Sequence, residues 1–143
     1  MTTESQLQQV FANNFVAYFR AHVAHVNIQG RNFMSDHKLL GKIYEDLQSQ
    51  IDTTAELLRT LAEFMPASLE TIMESSQISL ADVLGDADQL LEDIKADLEE
   101  LKASYEELMA ISEEDGHKEI ANHAQDRILT LAKYLWMLDS TLD

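Results

Sequence analysis

"HVAHVNIQGRNFMSDH", residues 22–37, is the stretch on which the reading of this chain turns. It holds three of the chain's five histidines, His22, His25 and His37, and the segment "NIQGRNF" divides it. Upstream, Leu7, Val10, Phe11, Asn14, Phe15, Tyr18, Phe19, His22, Val23, His25 and Val26 recur at steps of three and four, which predicts an amphipathic helix over 4–28. Gly30, the residue that best tolerates a left-handed cap, is expected to end it. Downstream, Leu39, Leu40, Ile43, Leu47, Ile51, Thr54, Leu58 and Leu61 predict a second helix over 35–64. Ser35 is its expected N-cap, Asp36 suits its first turn, and Pro66 is expected to stop it. A connection this short makes the two helices antiparallel. His22 and His25 then face His37 across the two arms of one hairpin.

The rest of the chain is read outward from that hairpin. One proline and four glycines in 143 residues favour long helices, and no strand-like alternation persists. "PASLETIMESSQ" reads as a short helix within a crossover of about twenty residues. A third helix over 85–112 places Leu90, Leu91, Ile94, Leu98, Leu101, Leu108 and Met109 inside. A fourth over 116–141 does so for Ile120, Ile128, Leu131, Leu135 and Leu138. "SEEDGH" between them is short, so they too are antiparallel. Two hairpins joined by one long crossover give an all-α, ferritin-like four-helix bundle whose crossover carries a short helix. Residues 1–143 form a single domain, with no internal repeat or low-complexity tract.

Composition narrows the function. The net charge is −16, from 26 acids against 10 bases, and the bases are scattered without a cluster or basic tail. Nucleic-acid binding runs on Lys and Arg neutralising phosphates, so DNA binding is not expected. Cysteine is absent, which removes disulfides and thiolate sites. No secretory leader or membrane-length apolar run is visible, and a cytoplasmic location is expected.

The chemistry sits in two pairs. His25 and His37 flank one tight turn on helices that pack about 8–10 Å apart, so both imidazoles can approach one ion. Asp52 and Glu56, in "QSQIDTTAELLR", are four apart and share a helix face. Like charges at that spacing repel, and a bridging cation reverses the sign. The pairs cannot meet within one chain. His37 and Asp52 are separated by roughly 22 Å along one helix axis. A metal held by all four therefore requires a two-fold contact, with His25 and His37 from one subunit and Asp52 and Glu56 from its mate.

These residues and spacings resemble the H-x-x-H-W-N-x-x-G-x-x-F-x-x-x-H…D-x-x-A-E-R signature of the Dps miniferritins. "FMPASLETIMESSQIS" looks like that family's crossover and "YLWMLDSTL" like its C-terminal segment, so the resemblance covers 20–142. It implies a hollow homo-oligomer, a dodecamer, with ferroxidase sites between two-fold-related subunits. There Fe(II) is oxidised by hydrogen peroxide or oxygen and stored as ferric mineral, with protection against oxidative damage. It implies iron as the metal, zinc as its substitute, and His25, His37, Asp52 and Glu56 as ligands and catalytic residues. His22 is a further candidate ligand.

The sequence departs from the pattern at four points. Val26 stands in place of the family's tryptophan. Gly41 replaces a frequent acid four residues after His37, and His22 is the candidate to compensate. Leu57 follows Glu56, with the arginine displaced to Arg59. No basic tail is present, so DNA coating is not implied. Glu113, Glu114, Asp115, Glu119 and Asp126 are candidates to line entry pores. His117 reads as a helix-start residue, His123 as a surface one, and Trp136 and Met137 as packing residues. Three readings follow: a miniferritin with ferroxidase activity, a degenerate cage that binds metal weakly, and a helical interaction protein without metal.

Overall fold

The computed structural model describes all 143 residues as five helices and no strand. They are α1 (Thr3–Asn27), α2 (Phe33–Thr60), α3 (Leu69–Ser75), α4 (Ala87–Glu114) and α5 (Lys118–Leu142). α1 packs on α2, α4 packs on α5, and α1 against α4 joins the two hairpins. The short α3 lies in the crossover against α1. The predicted bundle and its single long crossover are therefore present.

The expected stripes meet in one continuous core. Leu7, Val10 and Phe11 of α1 join Leu40, Ile43, Leu47 and Leu58 of α2. They meet Leu91, Ile94, Leu98, Leu101 and Leu108 of α4, and Ile120, Leu131 and Leu138 of α5. Burying each such side chain contributes roughly 1.5–3 kcal/mol. Met109, Ile128 and Leu135 are only partly buried against this core. Trp136 differs from expectation: it is 65% exposed in the single chain, so it does not pack within the subunit. Phe19 and Val26 are exposed as well.

Helix ends differ in detail from the sequence reading. α2 starts two residues early, with Asn32 at the N-cap position, and the Ser35 hydroxyl donates to the Asn32 carbonyl instead of capping. α1 ends at Asn27 with Ile28 as an extended C-cap, and Gly30 lies beyond it within the turn. Pro66 does not stop α2. The helix closes six residues earlier, where Ala62 adopts φ 65°. The Glu63 amide donates to the Leu58 carbonyl and the Ala62 amide to the Arg59 carbonyl. That paired pattern is a Schellman motif with alanine at the left-handed position. The α4–α5 turn uses the same pair, His117 to Ser112 and Gly116 to Glu113, with glycine there at φ 82°.

Side-chain bonds fix the remaining pieces. The Gln77 amide donates to Asn13 Oδ1, and Gln9 Nε2 donates to the Ser75 carbonyl, which ties the crossover to α1. Arg20 of α1 donates from Nε to Asp97 of α4 at 2.7 Å and also to the Ala81 carbonyl of the crossover. Arg127 of α5 forms a two-pronged pair with Asp46 of α2, at 3.1 and 2.6 Å. A planar guanidinium matches a carboxylate in this way and fixes rotation about both helices.

Candidate metal site

The last turn of α1 and the first turns of α2 carry the two histidines, and each ring reaches back to the other's backbone. His25 Nδ1 lies 2.7 Å from the His37 carbonyl oxygen. His37 Nδ1 lies 2.8 Å from the His25 carbonyl oxygen. A carbonyl only accepts, so in both rings Nδ1 carries the proton and donates. The His25 carbonyl belongs to the last turn of α1, whose carbonyls lack helical partners. His37 supplies one. The rings themselves stack, with centroids 3.9 Å apart and planes at 17°.

This bonding decides the chemistry available. With Nδ1 committed to the carbonyl, Nε2 is the nitrogen of each ring that faces away and can offer a lone pair to a metal. The site's donors thus fit a divalent ion of the iron or zinc kind. Both rings are half-buried and border an open hollow of about 740 Å³, whose lining includes Gly41, Lys38, Lys42 and Glu45.

A ladder of rings continues the pair in both directions. Phe33 stacks on His37 at 5.0 Å. Tyr44 lies 4.9 Å from His25 and stacks flat on His22, at 4.0 Å and 4°. The Tyr18 hydroxyl shares a 3.1 Å hydrogen bond with His22 Nδ1. His22 is therefore held by two tyrosines beside the pair, with its ring 6.4 Å from that of His25. The periodicity places Tyr18 on the same helix stripe as His22 and assigns Tyr44 no role. Their signal was the four-residue step from Tyr18 to His22 and the seven-residue step from His37 to Tyr44, which put both on the histidine face.

Asp52 and Glu56 stand elsewhere. Both are exposed on α2, well down the helix from His37, and no group of three or more metal-binding side chains comes together within the single chain. The structure brings His25 and His37 together and leaves the two acids apart from them.

The other singled-out residues divide. Glu113, Glu114, Glu119 and Asp126 are exposed. Asp115 is engaged: it accepts from the Thr3 amide at 3.1 Å and the Thr3 hydroxyl at 2.7 Å, anchoring α1 to the α4–α5 turn. Those bonds hold its carboxyl below the usual range. His117 does precede α5. His123 is half-buried rather than exposed. Its Nε2 is buried without a hydrogen-bond partner, its ring meets Tyr105 edge-on at 6.1 Å, and burial, with Arg127 nearby, lowers its pKa. Position 123 flanks the buried stripe of Ile120, Ala124, Arg127 and Leu131, and the sequence pattern did not mark it.

The comparisons with known proteins agree with this architecture. The ferritin-like domain family matches residues 4–143. The DNA protection during starvation protein of Helicobacter pylori is 25% identical over 143 residues, covering 99% of both chains. The Dps structure from Listeria monocytogenes superposes with a TM-score of 0.94 at 24% identity, over 99% of this chain and 94% of that one. The DPS protein from Vibrio cholerae O1, described as a member of the ferritin-like diiron-carboxylate proteins, superposes at 0.93. It is 26% identical, over 99% of this chain and 89% of that one. The helices, the single crossover and the full-length match place the chain in the ferritin-like domain family, as a Dps-type miniferritin.

Proposed function

We propose that this chain is the subunit of an iron-storing shell that takes Fe(II) as substrate, oxidises it at sites shared by two subunits, and retains ferric iron inside. The observation that carries the reading is the reciprocal bonding of His25 and His37, which fixes both rings as Nδ1–H tautomers and frees both Nε2 atoms. The partner's Asp52 and Glu56 complete the ligand set, because no side chain spans the distance within one chain. The shell is a homo-oligomer of twelve, the oxidant is hydrogen peroxide or oxygen, and zinc substitutes for iron. The protein acts in the cytoplasm. No helix is long and apolar enough to cross a membrane.

Each residue has a defined task. His25 and His37 bind through Nε2, and their backbone bonds hold the rings against rotation. Asp52 and Glu56 supply anionic oxygens that favour the ferric over the ferrous ion, which makes loss of the electron easier. The open hollow in front of the rings admits the oxidant. His22, held between Tyr18 and Tyr44, flanks the ligands. The relatives' names, DNA protection during starvation and diiron-carboxylate protein, support a protective role through iron removal. The acidic balance gives no basis for DNA binding. A second reading, a shell with slow oxidation, draws on Gly41, where the family's frequent acid is missing.

Complementation tests the shared site. Shells of the His25→Ala, His37→Ala double variant and of the Asp52→Ala, Glu56→Ala double variant are each expected to lose iron oxidation. Co-assembly at equal amounts restores one intact site in every mixed two-fold pair, so about one quarter of the wild-type rate should return. No recovery in confirmed mixed shells rejects the inter-subunit site. Undiminished oxidation in either parent double variant rejects the ligand set.

A further inference from the structure

We infer that Gly41 is a positioning residue for His25: it is the empty half of a seat that the imidazole fills. Gly41 is buried in the interior of α2, eight residues past the helix start, with no turn or left-handed backbone to require it. Glycine there costs about 0.5–1 kcal/mol relative to alanine. What the vacancy accommodates is visible. A Cβ at position 41 would lie 2.9 Å from His25 Cε1 and 3.1 Å from His25 Nδ1. Real Cβ atoms are not found that close to a ring carbon.

The ring has nowhere easy to go. Its Nδ1 is bonded to the His37 carbonyl, one face stacks on His37, and the tilted Tyr44 ring lies 4.9 Å away. The His37 carbonyl belongs to the turn of α2 that leads to residue 41, since a helical carbonyl accepts from the amide four residues on. A side chain at 41 would stand over the oxygen that His25 reaches for. The bare glycine lets the α1 histidine make a second bond to an α2 carbonyl already used in the helix.

The consequence runs against the simple reading of the sequence. A Cβ at 41 and the seated His25 crowd one space, so the ring must shift to admit a side chain there. The glycine therefore does more than omit the family's acid: it leaves room for the His25 ring. The effect on metal binding rests on His25 being a ligand, as proposed above; the seat itself does not.

Two experiments on the assembled full-length protein decide it. The first is a thermal-melting cycle without metal. Gly41→Ala should lower the melting temperature when His25 is present, and raise it in the His25→Ala background, where only the helix preference remains. The sign reversal is the signature. A Gly41→Ala change that stabilises both backgrounds, or destabilises both equally, overturns the seat. The second is titration with Co(II), read by its visible absorption bands. Wild type should bind about tenfold or more tightly than Gly41→Ala. Shell mass should be unchanged. Gly41→Ala binding Co(II) as tightly as wild type overturns the positioning role. If Co(II) binds wild type and His25→Ala alike, the ligand reading fails, while the melting cycle still decides the seat.

Discussion

Nε of Arg20 and Oδ2 of Asp97 lie 2.7 Å apart with both side chains almost wholly buried, and this pair locks α1 onto α4 five residues before His25. It sets the azimuth of the α1 segment that presents the histidine. Burial dominates its electrostatics. Desolvation lifts the Asp97 carboxyl to about 6, although Arg20 pulls the other way.

Breaking one side of the pair should be costly. Arg20→Met leaves a buried carboxylate unpaired, and a loss of about 3–5 kcal/mol is expected at pH 7 by denaturant titration. At pH 5 the loss should be smaller, because Asp97 can then take up a proton. Arg20→Met combined with Asp97→Leu should recover most of the stability, since two well-packed apolar groups replace a desolvated pair.

Buried Asp97 and half-buried His123 should tilt the pH profile in opposite directions. Asp97 has a folded pKa of about 6 against an ordinary 3.8, so the folded state holds its proton more tightly. Its contribution is full below about pH 4 and is lost as pH rises through 6. His123 is lowered by burial, so the unfolded chain takes the proton first. Its contribution is present above about pH 6.5 and is lost as pH falls below that. Asp97→Asn should therefore remove a fall in stability between pH 4 and 6, and His123→Leu should remove a fall on acidification. Chemical denaturation at half-unit pH steps, each variant against wild type, measures both slopes.

The end of α2 offers a stabilising substitution. Ala62 holds φ 65° within a Schellman motif, a conformation that side chains with a Cβ disfavour. Ala62→Gly should gain about 0.5–1 kcal/mol after allowing for the greater freedom of glycine in the unfolded chain. A rise in the thermal midpoint of one to a few degrees is the expected reading; a fall would show that the alanine methyl contributes packing.

The acid pair should be separable from the fold. Asp52 and Glu56 are exposed in the subunit. Asp52→Ala with Glu56→Ala should leave helicity and shell mass unchanged and slow Fe(II) oxidation by about a hundredfold. Stopped-flow absorbance of the ferric product, beside a mass measurement of the shell, provides the check.

The sequence by itself determined the helices, the two antiparallel hairpins and the single crossover. Apolar periodicity and connection length are local properties, and they bound topology without knowledge of packing. It also placed His25 and His37 beside one turn, and Asp52 and Glu56 on one face too far along α2 to join them. Helix ends were less legible: Asn32 rather than Ser35 precedes α2, and Ala62 rather than Pro66 closes it, because a cap depends on backbone angles as much as on residue type. Only the tertiary structure decided which nitrogen of each histidine is free, why Gly41 is bare, and that His123 is half-buried while Trp136 is exposed. These depend on how two helices are rotated and shifted against each other by an ångström or so. That register is fixed by the whole core and its buried ion pairs, and spacing along one chain does not record it.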